Sequence, residues 1–203
     1  WLEEVRPGMD QFNSLHERIL LGFQKLASLM NGRGMHFAAF RESAEEWTHS
    51  TYFRDLAEQA GIPTRAMDIA QIRWNDGAQE FRDEDENVIR FLHKLYPWEN
   101  ILEDEFGVHF SLDKVGVIEP PWKLVLGHKA LLPILWNLHQ GHPNLLEAHM
   151  GHAPENGEWV EKPMIGRGGA NIRMVRDGRE TFSTQGSYGD YPVISQRRAV
   201  VLK

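Results

Sequence analysis

Between Glu161 and Val175 the chain reads Glu-Lys-Pro-Met-Ile-Gly-Arg-Gly-Gly-Ala-Asn-Ile-Arg-Met-Val, and this stretch holds the residue types best suited to bind an anion. Gly166, Gly168 and Gly169 carry no Cβ, so their backbone N–H groups can approach a phosphate closely. Lys162 adds a point charge at the base of the loop. The apolar pair Trp159-Val160 leads in, and the alternation Ile172-Arg-Met-Val175 before Arg176-Asp-Gly-Arg179 reads as a strand closing into a hairpin. The chemistry this permits is a flap over the phosphates of a nucleotide; the spacing fits an ordinary glycine-rich hairpin equally well. A Walker loop is excluded because no Gly-Lys-Ser/Thr opens a helix, and a Rossmann turn because no helical run follows the glycines.

Other groups invite the same question. Lys129 follows Gly127-His128 at the expected start of a helix, where a cation opposes the dipole and calls for a compensating anion. Taken alone, Lys129 and Lys162 read equally as solvated surface lysines. His139/His142 and His149/His152 have the i, i+3 spacing of zinc ligands on a helix. Gly141, Pro143 and Gly151 break any such helix, so these histidines read as surface groups. The acidic run Asp83-Glu-Asp-Glu86 reads as a solvated helix start.

The elements that must position these groups follow from hydrophobic period. Apolar residues between Phe12 and Met30 recur at helical spacing, and Asn31-Gly-Arg-Gly34 stops them. Met35 to Phe40 reads as a buried strand, Glu45 to Ala60 as a second helix, and Ala66 to Ile72 as a strand. Asn75-Asp-Gly77 marks a turn. Val88 to Tyr96 reads as helical up to Pro97, with Glu99 to Phe106 resuming it. Further on, His128 to Leu138 and Pro143 to His149 read as helices, Ala153 to Glu158 as a polar loop, and the remainder as strands. These predict an α/β (α+β) fold: a small α/β layer domain over residues 1–114 and a strand-rich part over 115–203.

Composition narrows the class. The 203 residues are 41% hydrophobic and 25% charged, with a formal charge of −7, which argues against a broad nucleic-acid face. There is no cysteine, which suits a reducing cytoplasm, and no apolar run long enough to span a bilayer. Trp1, Leu2 and Val5 read as the end of a helix, and Pro192 to Lys203 stops inside a strand-like run, so a piece of a longer protein is expected.

Five further motifs carry a resemblance. Asp10-Gln-Phe-Asn-Ser-Leu-His16, Lys94-Leu-Tyr-Pro-Trp-Glu99, Glu119-Pro-Pro-Trp-Lys123, Lys129-Ala-Leu-Leu-Pro133 and His142-Pro-Asn-Leu-Leu146 stand in the order found in glutathionylspermidine synthase-like amide ligases. With the glycine loop, the sequence resembles this ATP-grasp group over essentially its whole length. The resemblance implies a pre-ATP-grasp, substrate-side domain followed by part of an ATP-grasp lid with a Gly-rich β-hairpin flap. It implies that a carboxylate, activated by ATP as an acyl phosphate, is joined to an amine. The nucleotide would be held by Lys129, Lys162, Gly166, Gly168, Gly169 and the segment Gln196, Arg197, Arg198 and Ala199, with Gln196 near the adenine. Glu46 and Asn100 become substrate-binding candidates, and each reads equally as a capping or solvated group. Partners would be a small peptide-like acid and an amine, without nucleic acid or membrane. The Mg2+ ligands would lie outside these 203 residues. A non-catalytic nucleotide-binding scaffold, or a ligase for a different acid and amine, are the alternatives. The flap from Ile165 to Asn171, with its three glycines, is expected to be mobile without nucleotide.

Overall fold

The computed structural model describes residues 6–9, 13–112 and 114–199. The helix end read in Trp1, Leu2 and Val5, the first residues of the Asp10 motif, Phe12, and the last residues of the C-terminal run lie outside them. Two compact units are present, Trp1–Pro121 and Trp122–Lys203.

In the first unit, helix α1 (Leu15–Met30) ends where Asn31 takes φ 52° and Gly32 φ 76°, both left-handed. Strand β1 (Met35–Ala39) is buried along its whole length. Helix α2 (Ala44–Gln59) is capped by Ser43, whose side chain accepts the Glu46 N–H, and Glu45 and Glu46 place negative charge in its first turn. Strand β2 (Thr64–Asp68) runs parallel to β1. A hairpin, β3 (Arg73–Asn75) and β4 (Glu80–Arg82), precedes β5 (Phe91–Lys94), helix α3 (Trp98–Glu103) and β6 (Gly116–Ile118). The sheet is all parallel, ordered β2-β1-β5-β6. Phe23, Met30, Met35, Phe37, Leu56 and Ile62 form one core with the helices. Ala38, Met67, Phe81, Ile89 and Leu92 form another, to which the β3–β4 hairpin contributes. The chain steps from β1 to β2 on one side and then to β5 on the other. The strand order therefore reverses between β1 and β5, the kind of switch point at which open α/β sheets tend to bind ligands at the strands' carboxyl ends.

Several local expectations are corrected here. Val88 to Tyr96 is not a helix: β5 is an inner strand, and inner parallel strands show apolar runs rather than alternation. The acidic run is a turn, in which buried Asp83 accepts N–H groups from Asp85 (3.0 Å) and Asn87 (2.7 Å). β2 ends at Asp68, where Asp68 accepts the Ala70 N–H at 3.1 Å and starts a 3-10 turn. Helix α3 begins at Trp98, directly after Pro97, and does not continue an earlier helix.

The second unit starts with two short helices, α4 (Leu124–Gly127) and α5 (Leu131–Leu138). No helix spans Pro143 to His149; that segment turns and enters β7 (Ala148–Met150), which pairs with β11 (Val193–Arg197). With β8 (Glu158–Pro163), β9 (Arg173–Arg176) and β10 (Arg179–Ser183) they form an antiparallel sheet ordered β10-β9-β8-β11-β7. The β9–β10 turn places Asp177 at φ 48° and Gly178 at φ 73°, the left-handed pair that tight hairpins favour. β6 still belongs to the first sheet, so the structural boundary falls after Pro121, beyond the position read from composition.

Candidate functional site

β8 and β9 pair from Glu158↔Arg176 to Glu161↔Arg173, so the segment between them closes a hairpin that carries the glycine loop. The three glycines differ. Gly168 (φ +58°) and Gly169 (φ +74°) adopt backbone that L side chains rarely take, and a Cβ at either would meet nothing within 4 Å. Both are exposed at the loop tip. Gly166 is enclosed instead: a Cβ there would stand 3.6 Å from Pro163 Cβ and Tyr188 Cγ, and 3.7 Å from Lys129 Nζ.

The two lysines converge on this loop from different elements. Lys129, just before α5, donates its backbone N–H to Met164 O (2.9 Å) and its Nζ to Gly166 O (2.6 Å). Lys162, on β8, donates to Gln196 Oε1 on β11 at 2.7 Å. Lys162 lies opposite Ile194, so Lys162, Ile194 and Gln196 share one face of the sheet. Burial, and then the nearby Lys129 charge, push the Lys162 ammonium below its ordinary pKa. Two like charges held close and partly out of water form a site that an anion would relieve.

The sequence-derived set is thus partly assembled. Lys129, Lys162, Gly166 and Gln196 come together, with Gly168 and Gly169 at the loop tip. Arg197 alternates to the opposite face, where its guanidinium lies 4.3 Å from the Trp159 ring centre and 3.0 Å from Glu147. Arg198 pairs with Glu158 at 3.1 Å, and Ala199 is exposed at the end of the described residues. His149 lies 3.0 Å from Glu147, and His152 3.3 Å from Glu161. Among the described residues no three His, Asp or Glu side chains are grouped to hold a metal such as Mg2+.

In the first unit, α2 and α3 begin after the adjacent strands β1 and β5, and this places Glu46 and Asn100 at the same edge of the sheet. Phe40 and Tyr96, in the two connecting loops, meet edge to face at 5.4 Å. Tyr96 is hydrogen-bonded to Asn100 and Asp104, and burial and then Asp104 push its phenol up. Glu46 keeps one buried carboxylate oxygen, Oε2, without a hydrogen-bond partner. No motif pointed to Thr184 or Tyr188, which touch the glycine loop; the only signal was a second cluster of turn formers, Gly186-Ser-Tyr-Gly189.

The chain is thus a parallel α/β unit followed by an antiparallel sheet that carries a lysine-flanked glycine hairpin. Over residues 1–201 the sequence matches the model of the glutathionylspermidine synthase preATP-grasp family, and the chain belongs to that family. It is 32% identical to a putative acid–amine ligase of Haemophilus influenzae, over 98% of this chain and 53% of that protein. It is 28% identical to the bifunctional glutathionylspermidine synthetase/amidase of Escherichia coli, over 75% of this chain and 29% of that protein. With the trypanothione synthetase of Crithidia fasciculata it shares 26% identity over 80% of its own length and 28% of that protein. The chain therefore spans 53% or less of the length of these relatives. No described helix is long and apolar enough to cross a membrane.

Proposed function

We propose that this chain forms part of an ATP-dependent carbon–nitrogen ligase of the cytoplasm that joins a small peptide-like carboxylic acid to an amine. The observation that carries the reading is the convergence of Lys129 and Lys162 beside a glycine loop whose tip is open. The relatives named as ligases and synthetases support it.

Bound ATP would supply the phosphoryl group that activates the carboxylate. Lys129 and Lys162 offset phosphate charge as it shifts, a task of positioning and electrostatics. The N–H groups at Gly168 and Gly169 supply short-range donors from the loop tip. Gln196 fixes the direction of the Lys162 ammonium and stands on the strand that would border the base. At the carboxyl edge of the parallel sheet, the unpaired Glu46 oxygen suits a substrate ammonium, and Asn100 supplies an amide nearby.

The test is product identity in the full-length protein. ADP and phosphate should form in equal amounts with the amide, and only when acid and amine are both present. Release of AMP and pyrophosphate, or amide formation without nucleotide consumption, contradicts the reading.

A further inference from the structure

The glycine loop is gripped by a second segment that neither the motifs nor the relatives' names mention. β10 ends at Ser183, and residues 184–191 return across the loop before β11. Thr184 Oγ1 donates to Gly169 O (2.6 Å) and accepts the Ile172 N–H (2.9 Å), and the Thr184 N–H donates to Ile172 O (2.9 Å). Asn171, itself at φ 53°, accepts the Tyr188 N–H on its side-chain oxygen at 2.8 Å. Gly186 packs so tightly that a Cβ there would stand 2.6 Å from Asn171 Oδ1 and closer still to Ala170 Cβ. On the loop's other flank, the Tyr188 ring and Lys129 enclose Gly166.

These contacts divide the labour within the loop. Three glycines give the segment many accessible conformations, and ordering it costs entropy. Hydrogen bonds to Gly169 O, Ile172 N–H and Asn171, together with the close fit at Gly186, remove most of those alternatives before any ligand arrives. The tip at Gly168 and Gly169 keeps its open side. A loop already in its binding geometry loses less freedom on binding, which is how preorganisation raises affinity.

We propose that the segment 184–191 is a clasp that presets the glycine loop, and that Thr184, Gly186 and Asn171 are positioning residues for the nucleotide. This rests on the nucleotide reading above. Gly186 is the key position, because any side chain there must push Ala170 and Asn171 aside, whereas Thr184 acts through its hydroxyl.

The experiment compares wild type, Gly186→Ala, Thr184→Val and Thr184→Ser in the full-length protein. Calorimetric titration with the magnesium complex of a non-hydrolysable ATP analogue gives affinity. Hydrogen exchange of the 168–172 amides, without nucleotide, gives loop order. Gly186→Ala and Thr184→Val should each weaken the analogue about tenfold, roughly the effect of one lost hydrogen bond, while Thr184→Ser, which keeps the hydroxyl, stays near wild type. The same two weakened variants should exchange faster at residues 168–172, and KM for ATP should rise with little change in kcat or in KM for acid and amine. A merely structural role would lower thermal stability and move all constants together. Wild-type affinity and exchange in Gly186→Ala and Thr184→Val overturn the clasp alone. Absence of analogue binding by wild type overturns the nucleotide reading and the clasp's purpose with it.

Discussion

Each unit withdraws a lysine from water, and the two are held in opposite ways. Lys94, at the carboxyl end of β5, is buried; its Nζ donates to Tyr96 O at 2.7 Å and lies 4.2 Å from the centre of the Trp98 ring. A carbonyl and an aromatic face both complement a cation, so this charge is settled within the fold. Lys162, half-buried on β8, has Gln196 Oε1 as an acceptor but also Lys129 as a neighbour of the same sign. The first arrangement braces the loop between β5 and α3. The second keeps two like charges near each other, an arrangement that suits the anion site proposed above. Burial alone therefore does not separate the two lysines; the sign of their surroundings does.

That contrast can be broken by substitution. Lys94→Met removes the contact to the Trp98 ring and leaves Tyr96 O without its ammonium donor, so chemical denaturation should show a loss of about 3 kcal/mol. Lys162→Met should leave stability unchanged or slightly raised, because it relieves repulsion from Lys129. Equal destabilisation by the two would erase the distinction. The first unit should also carry an acid-sensitive element. His93, packed against the Phe37 and Phe53 rings, is lowered to about 4 by burial and then by Lys94. Its folded pKa lies below the ordinary 6.5, so its contribution is fully present above pH 6.5 and is lost as pH falls through about 4. The loss should approach 3 kcal/mol, on the order of 1.4 kcal/mol per pH unit, and His93→Phe should flatten that part of the profile. A profile unchanged by the substitution would place the sensitivity elsewhere.

Smaller effects sharpen the picture of the second sheet. Glu161, buried, accepts Ala153 N–H at 2.8 Å and Arg173 Nη1 at 2.7 Å. Glu161→Gln should cost about 2 kcal/mol of stability, since Arg173 is left to Glu180 alone on that side. Gly178→Ala, at φ 73°, should cost about 1 kcal/mol from left-handed strain, with nucleotide affinity untouched. Thermal melts of the two variants check both expectations.

Much of this was legible before the structure, and the pattern of misses is physical. α1 and α2 announced themselves by helical spacing, with Asn31-Gly32 and Gly61 as stops, and β1 as a short apolar run with a buried strand's length. The glycine hairpin and the Asp177-Gly178 turn were readable because left-handed backbone selects so few residues. β5 was misread because an inner parallel strand has no alternating face, and Pro97 suggested a helix stop. The acidic turn was misread because four carboxylates look solvated, although Asp83 is buried by Asn87 and, at 3.2 Å, by His36. At the candidate site, Lys129, Lys162 and Gln196 were named from motifs and the family resemblance. Their partition from Arg197 needed the strand register, and the grip of Thr184 and Gly186 on the loop is a contact between segments that no local pattern encodes.

The central proposal is that Lys129 and Lys162, brought together beside the glycine loop, hold a polyphosphate. Calorimetric titration of the full-length protein with ATP and magnesium tests it most directly, using wild type, Lys129→Ala and Lys162→Ala. Each substitution removes a charge-assisted contact worth about 1.5–3 kcal/mol, so each should weaken binding roughly tenfold to a hundredfold. Wild-type affinity in both variants, with the fold intact, would contradict the account.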